Sequence, residues 1–251
     1  MNDFIRARSD AQKTARMNEI KAAADALAQT QPYPTITLSA IAAQLSWTRA
    51  NLYKYVTSKE EIYLELCADK MNAYFDALTA AFPAGCGYTR AVLGEVWAGI
   101  LAAHTDYLRY ADMLGSIIES NVTVERLAAF KRNYYDRVGV VNARFGDLLG
   151  ISAEEANSLF LAVLYHAIGY NGICYRSPRI REALALAGIT PAPVDFRAEL
   201  CRFIVSSLPP ARKAWCTSPR SPRSASRRSR TDWKSVRPSR SSTSAPTKRT
   251  A

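Results

Sequence analysis

The chain has 251 residues, 48% of them hydrophobic, enough to bury a substantial core in one or two domains. It shows no apolar run of transmembrane length and no basic-then-apolar leader at its start, so no membrane partner is expected. The formal net charge of +11 is confined to one end: 12 of the 33 basic and one of the 22 acidic residues lie in 211–251, leaving 21 of each sign in residues 1–210.

Five cysteines (Cys67, Cys86, Cys174, Cys201 and Cys216) are dispersed without a Cys-x-x-Cys pair. Reduced thiols and a cytoplasmic location are therefore expected. The two histidines, His104 and His166, stand in no zinc-ligand spacing, so no metal and no cofactor is expected. There is no Gly-x-Ser-x-Gly elbow and no phosphate-cradling Gly-x-x-x-x-Gly-Lys run, and Gly85-Cys86-Gly87 lacks the third glycine of a dinucleotide loop. The paired acids Glu154 and Glu155 sit where helix capping accounts for them, so catalysis is not expected.

In chain order, Ser9 and Gln12 match a capping box, and Ile20, Ala24 and Leu27 form one apolar stripe. Thr37 can cap a short helix whose Leu38, Ile41, Ala42 and Leu45 recur at helical spacing. Ser46-Trp47-Thr48 breaks it, and Thr48 can cap a second helix from Arg49 to Tyr55. There Leu52 and Val56 point inward and Arg49, Asn51, Tyr53 and Lys54 outward. Ser58 and Glu61 match a capping box opening a third helix, with Lys59 unfavourably placed in its first turn unless a phosphate meets it. Polar, aromatic and basic side chains on such a scaffold are how a helix-turn-helix reads the major groove. Residues 1–60 carry eight basic and five acidic side chains, a slightly basic reading head on a neutral body.

The segment 9–71 resembles the DNA-binding domain of the tetracycline-repressor (TetR) family. Thr37, Ile41-Ala42, Leu45, Leu52-Tyr53 and Lys59-Glu60-Glu61 carry the resemblance. Where the family often has glycine this chain has Ser46 and Ala50, and Tyr55-Val56 replaces its usual histidine-phenylalanine. The resemblance implies a helix from about Asp10 to Ala28 ahead of the motif, with Arg6, Arg8 and Lys13 near phosphates or the minor groove. The double-stranded DNA site is then expected as follows. Trp47, Thr48, Arg49 and Asn51 meet base edges, and Thr37, Tyr53, Lys54, Tyr55 and Lys59 meet phosphates.

Residues 72–210 read as helical throughout, with helices at about 59–82, 89–103, 105–119, 123–149, 152–175 and 195–208. The clearest stripe is Leu127, Phe130, Tyr134, Val138, Val141, Phe145 and Leu148. Trp97, His104, Tyr107, Tyr110, Met113, Tyr134, Phe145 and Tyr165 are candidates to line an apolar effector pocket; aromatics at this spacing also suit plain core. The resemblance implies that this body senses a small molecule and that its last two long helices pair with a second copy. Leu159, Val163, His166 and Tyr170 on one, and Leu200, Phe203 and Ile204 on the other, would form a four-helix homodimer interface. The alternative is that these faces pack inside one monomer.

The expected fold is all-α: a three-helix helix-turn-helix domain, a larger effector-binding and dimerisation domain, and a disordered Ser/Arg/Pro-rich tail over 211–251. The function expected is a transcriptional regulator, a repressor released from a palindromic operator by a small hydrophobic effector. A helical interaction module without specific DNA binding, or a non-specific nucleic-acid binder acting through the tail, are the competing readings.

Overall fold

The computed structural model describes residues 2–210, apart from Arg176 and the side chains of residues 2–10. The expectations for the tail 211–251, Cys216, Arg6 and Arg8 lie outside the described residues.

Every regular element among the described residues is helical, and hydroxyl and carboxylate caps set where most of them begin. Thr37, Thr48, Ser58, Thr89, Thr123, Ser152, Ser177 and Asp195 each accept a hydrogen bond from the backbone N–H three residues ahead. Each such cap satisfies a donor the helix cannot, worth about 1 kcal/mol. They open α2 (Leu38–Gln44), α3 (Arg49–Leu52), α4 (Lys59–Ala81), α5 (Arg90–Ala103), α7 (Val124–Leu149), α8 (Ala153–Cys174), α9 (Pro178–Leu186) and α10 (Phe196–Ser207). The remaining two are α1 (Asn2–Thr30) and α6 (Thr105–Met113).

Three expectations are corrected. The first helix runs from Asn2 and not from Asp10, so Ser9 lies inside it and not at its start. The helix expected over 105–119 ends at Met113 and continues as a wider π turn over Leu114–Ile118, then a 3-10 turn over Glu119–Asn121. Gly115 and Ser116 are exposed and weak helix formers, and the loosened turn ends on the fully buried Ile118. The helix α9, with no buried residue, was not expected; Ser177 as cap followed by Pro178 in the first turn is the signal that could have found it.

The helix α4 lies at the centre, packed against α1, α5, α6 and α7. Its Ile62 and Tyr63 are buried, and the Tyr63 hydroxyl donates to the α1 carbonyl of Ala24 at 3.1 Å. One helical turn after another, Met71, Tyr74, Phe75 and Leu78 are also buried. No single described helix is long and apolar enough to cross a membrane; α7 and α8 would qualify only together, across a 109° bend. Cys67, Cys86 and Cys201 are free thiols.

The α5–α10 pair is the most closely seated. A Cβ at Gly94 would collide with the Val205 methyl and lie 3.5 Å from the Cys201 carbonyl. Gly94→Leu is expected to lower the unfolding free energy by about 3 kcal/mol, the upper end of overpacking costs, and adding Val205→Ala should restore part of it. Chemical denaturation of the single and double variants measures both.

Candidate nucleic-acid interface and effector site

The helix-turn-helix is built from two short capped helices around a buried Ile41, Ala42, Leu52 and Val56. Between them Ser46 adopts φ 55°, a left-handed conformation that a side chain disfavours. This is the place where glycine was noted as usual, and the geometry gives the reason. The second helix is shorter than expected. It spans Arg49–Leu52, and Tyr53–Tyr55 follow as turn, with Tyr55 N–H bonded to the Leu52 carbonyl at 3.0 Å.

The outward row survives that shortening. Arg49, Tyr53 and Lys54 are exposed, and Asn51 is half-buried. The Arg49 guanidinium donates to the Tyr53 hydroxyl through Nη2 at 2.6 Å and lies 5.2 Å from the centre of its ring. The two candidates therefore act as one unit: Tyr53 holds the planar donor fork outward in the free chain. Trp47 is half-buried between the Arg16 guanidinium at 5.5 Å and the Tyr55 ring at 5.8 Å, so one face of the indole is structural. Thr37 and Thr48 each spend an oxygen lone pair on a cap, and a hydroxyl that accepts in this way can still donate its proton.

Lys59 departs from the expectation. Its ammonium donates to the carbonyls of Tyr33 at 3.0 Å and Ile36 at 2.9 Å and sits 4.2 Å over the Tyr33 ring. Those acceptors answer its unfavourable position in the first turn of α4 without any phosphate. Tyr33 in turn donates to Glu60 at 2.6 Å, and burial followed by that carboxylate pushes its phenol far up, keeping it protonated. The loop before α2 is thus pinned to α4.

The aromatic candidates divide. Trp97, Tyr107 and Phe145 are buried and meet around Tyr74, Phe75 and Phe160, which the sequence reading did not select. Trp97 lies 4.6 Å from Phe145 by ring centre and donates its indole N–H to the Tyr74 hydroxyl at 3.0 Å. Tyr107 stacks on Tyr74 at 5.3 Å, and His104 meets it edge-on at 5.9 Å with Nδ1 at 2.8 Å from the Ile100 carbonyl. Tyr134 is half-buried beside Phe75, its phenol pushed up to about 12 by burial and by Tyr165. Met113 is half-buried at the end of α6. Tyr110 faces elsewhere: its hydroxyl donates to Asp25 of α1, and its ring lies 5.8 Å from Tyr63. Tyr165 is 66% exposed. The shared chemistry is an apolar cluster edged by phenols that burial keeps protonated.

The pairing candidates divide in the same way. Val163, Leu200 and Ile204 are fully buried within this chain and Leu159 nearly so, leaving no surface for a partner. Helix α10 turns its apolar side toward α5 and α8 of its own chain, which is why. His166, Tyr170 and Phe203 stay partly exposed, with the imidazole stacked on Phe203 at 3.7 Å and on Tyr170 at 4.9 Å.

Two measurements follow. Ser46→Gly is expected to raise stability by about 0.5–1 kcal/mol, the relief of left-handed strain less the freedom glycine adds to the unfolded chain; thermal unfolding reads it. Burial holds the His166 imidazole below its ordinary value of 6.5, with Glu199 opposing. The folded state then binds fewer protons than the unfolded one, so stability present above pH 6.5 is lost as pH falls through and below it. Unfolding midpoints should drop between about pH 7 and about pH 5, and His166→Phe should remove that part of the slope.

A family model described as "Bacterial regulatory proteins, tetR family" matches residues 20–66, and one described as "Tetracyclin repressor-like, C-terminal domain" matches residues 68–208. No curated protein matches the chain.

Proposed function

From its membership of the tetR family of bacterial regulatory proteins, whose members are DNA-binding transcriptional regulators, we propose that this chain is a repressor released from a palindromic operator by a small, largely apolar effector. No catalytic role is assigned to it, and it acts where the DNA is, in the cytoplasm. Residues 9–71 form the reading domain, 72–210 the sensing and pairing body, and 211–251 a basic tail.

The observation that carries the reading is the exposed Arg49–Tyr53 pair, with Lys54 beside it, on a Thr48-capped turn. Arg49 offers two parallel donors to a guanine edge, with Trp47, Thr48 and Asn51 beside it. Thr37, Tyr53, Lys54 and Tyr55 hold phosphates; Lys59 is left to its structural task. Two copies pair through the partly exposed aromatic face of His166, Tyr170 and Phe203, and so read half-sites about 34–36 Å apart.

The effector enters beside Tyr107 and Tyr134, against the aromatic cluster around Tyr74. A ligand favouring the spread-apart arrangement of the reading heads by about 3 kcal/mol lowers operator affinity roughly a hundredfold. The helix α4, common to both parts, is the lever.

The test is a titration of the full chain against DNA flanking its own gene and against a scrambled duplex, at about 150 mM salt. The tail's non-specific attraction enters both arms and cancels in their ratio. Preference for the native fragment is expected, reduced by about 1–3 kcal/mol in Arg49→Ala. Equal binding to both duplexes by a monomeric chain would instead support an interaction module.

A further inference from the structure

We infer that Arg126, on the first turn of α7, is a positioning residue for DNA reading, holding the turn that follows α3 in place from the body of the protein. The inference rests on the DNA reading proposed above. The groups that the Arg126 guanidinium meets all lie 61 residues or more away in the chain, so no local pattern announces it.

The geometry is a fork with three acceptors. Nη2 donates to the carbonyl of Tyr55 at 3.4 Å, Nε lies 3.3 Å from Glu61, and Nη1 donates to Glu65 at 3.3 Å. The Tyr55 carbonyl belongs to the turn where α3 has unwound, so no helical N–H is at hand to satisfy it. The Glu61 side chain is 1% exposed, and its other oxygen accepts the N–H of Thr57 at 2.9 Å. Residues 55–57 are therefore gripped at a carbonyl by Arg126 and at an N–H by the acid Arg126 neutralises. One residue on, the Ser58 hydroxyl donates to the Asn121 carbonyl at 3.2 Å, just before α7.

Arginine suits this place because only its planar set of donors reaches a carbonyl and two carboxylates at once. A lysine would neutralise Glu61 or reach Tyr55, but not span both. The direction of α3 relative to the body is thereby tied to the start of α7. Arg49 and Tyr53 are displaced whenever that tie lengthens.

The experiment uses the full-length chain and the duplex that the wild-type protein enriches from a random-sequence pool. Arg126→Gln is expected to weaken binding by about 10–100-fold, the loss of a charged hydrogen bond expressed as affinity. The slope of log affinity against log salt should not change, because Arg126 meets no phosphate. Arg126→Lys should fall between the two. Since Arg126→Gln leaves a buried carboxylate unpaired, Glu61→Gln/Arg126→Gln is made beside it; it removes that charge but still lacks the bond to Tyr55, and should bind as weakly. Amide exchange at Val56 and Thr57 should quicken about tenfold or more in both variants, with α8 unaffected.

Unchanged affinity and unchanged exchange overturn the inference. So does a salt slope smaller by about one, which would make Arg126 a direct phosphate contact. If the wild type enriches no duplex, the DNA reading itself fails, and exchange at Val56 and Thr57 alone then upholds or overturns the grip.

Discussion

The helix α4 is buried on nearly every side, and that burial governs what its polar groups must do. A charge or hydroxyl taken out of water has to find a partner inside the protein, or it costs more than its neighbours return. Glu61 therefore carries Arg126, Tyr63 donates to Ala24, and Tyr74 accepts from Trp97. Each of these bonds joins α4 to a different helix: α7, α1 and α5. The helix is thus a rod with its attachments specified by chemistry as well as by apolar contact, and 23 residues carry it from the reading head deep into the body.

A second set of bonds makes the same junction from the side. Asp25 of α1 receives the Tyr110 hydroxyl, lies 3.3 Å from Lys70 of α4, and lies 3.7 Å from Arg109 of α6. Lys70 also meets Asp106 at 2.8 Å. Burial alone would push the Asp106 carboxyl up, but the Lys70 ammonium and the Tyr107 backbone N–H outweigh it and hold the acid below its ordinary range. The α6 helix that presents Tyr107 to the aromatic cluster therefore also presents Tyr110 and Arg109 to α1. The α6 helix is thereby bonded both to α1 and to α4 beside the aromatic cluster.

The local rules served well where the signal was local. Caps lie three residues from the donors they satisfy, so Thr37, Thr48, Ser58 and Ser152 were legible, and with them the starts of α2, α3, α4 and α8. Apolar spacing placed Ile41, Leu52, Phe130, Val138 and Phe145 in the core. The outward placement of Arg49, Tyr53 and Lys54 followed from the same period. The glycine-like conformation at Ser46 was visible only as a departure from a family habit, and the backbone angle supplies its cause.

What only the tertiary structure decided is which partner each face meets. Periodicity says that Val163, Leu200 and Ile204 are buried; it does not say whether by their own chain or by a second copy, and here the chain's own helices cover them. It marks Tyr110 as an inward aromatic without revealing that its hydroxyl belongs to Asp25 of α1. It reads Lys59 as a misplaced charge awaiting a phosphate, when two loop carbonyls already hold it. The Arg126 fork could not be read at all, since its acceptors are brought together by helix packing across 61 to 71 residues of chain. The amino-acid order by itself determined the capped helix starts and the outward row of Arg49, Tyr53 and Lys54, because those depend on neighbours within one or two turns. The junctions between helices depend on distance in space, and only folding sets that.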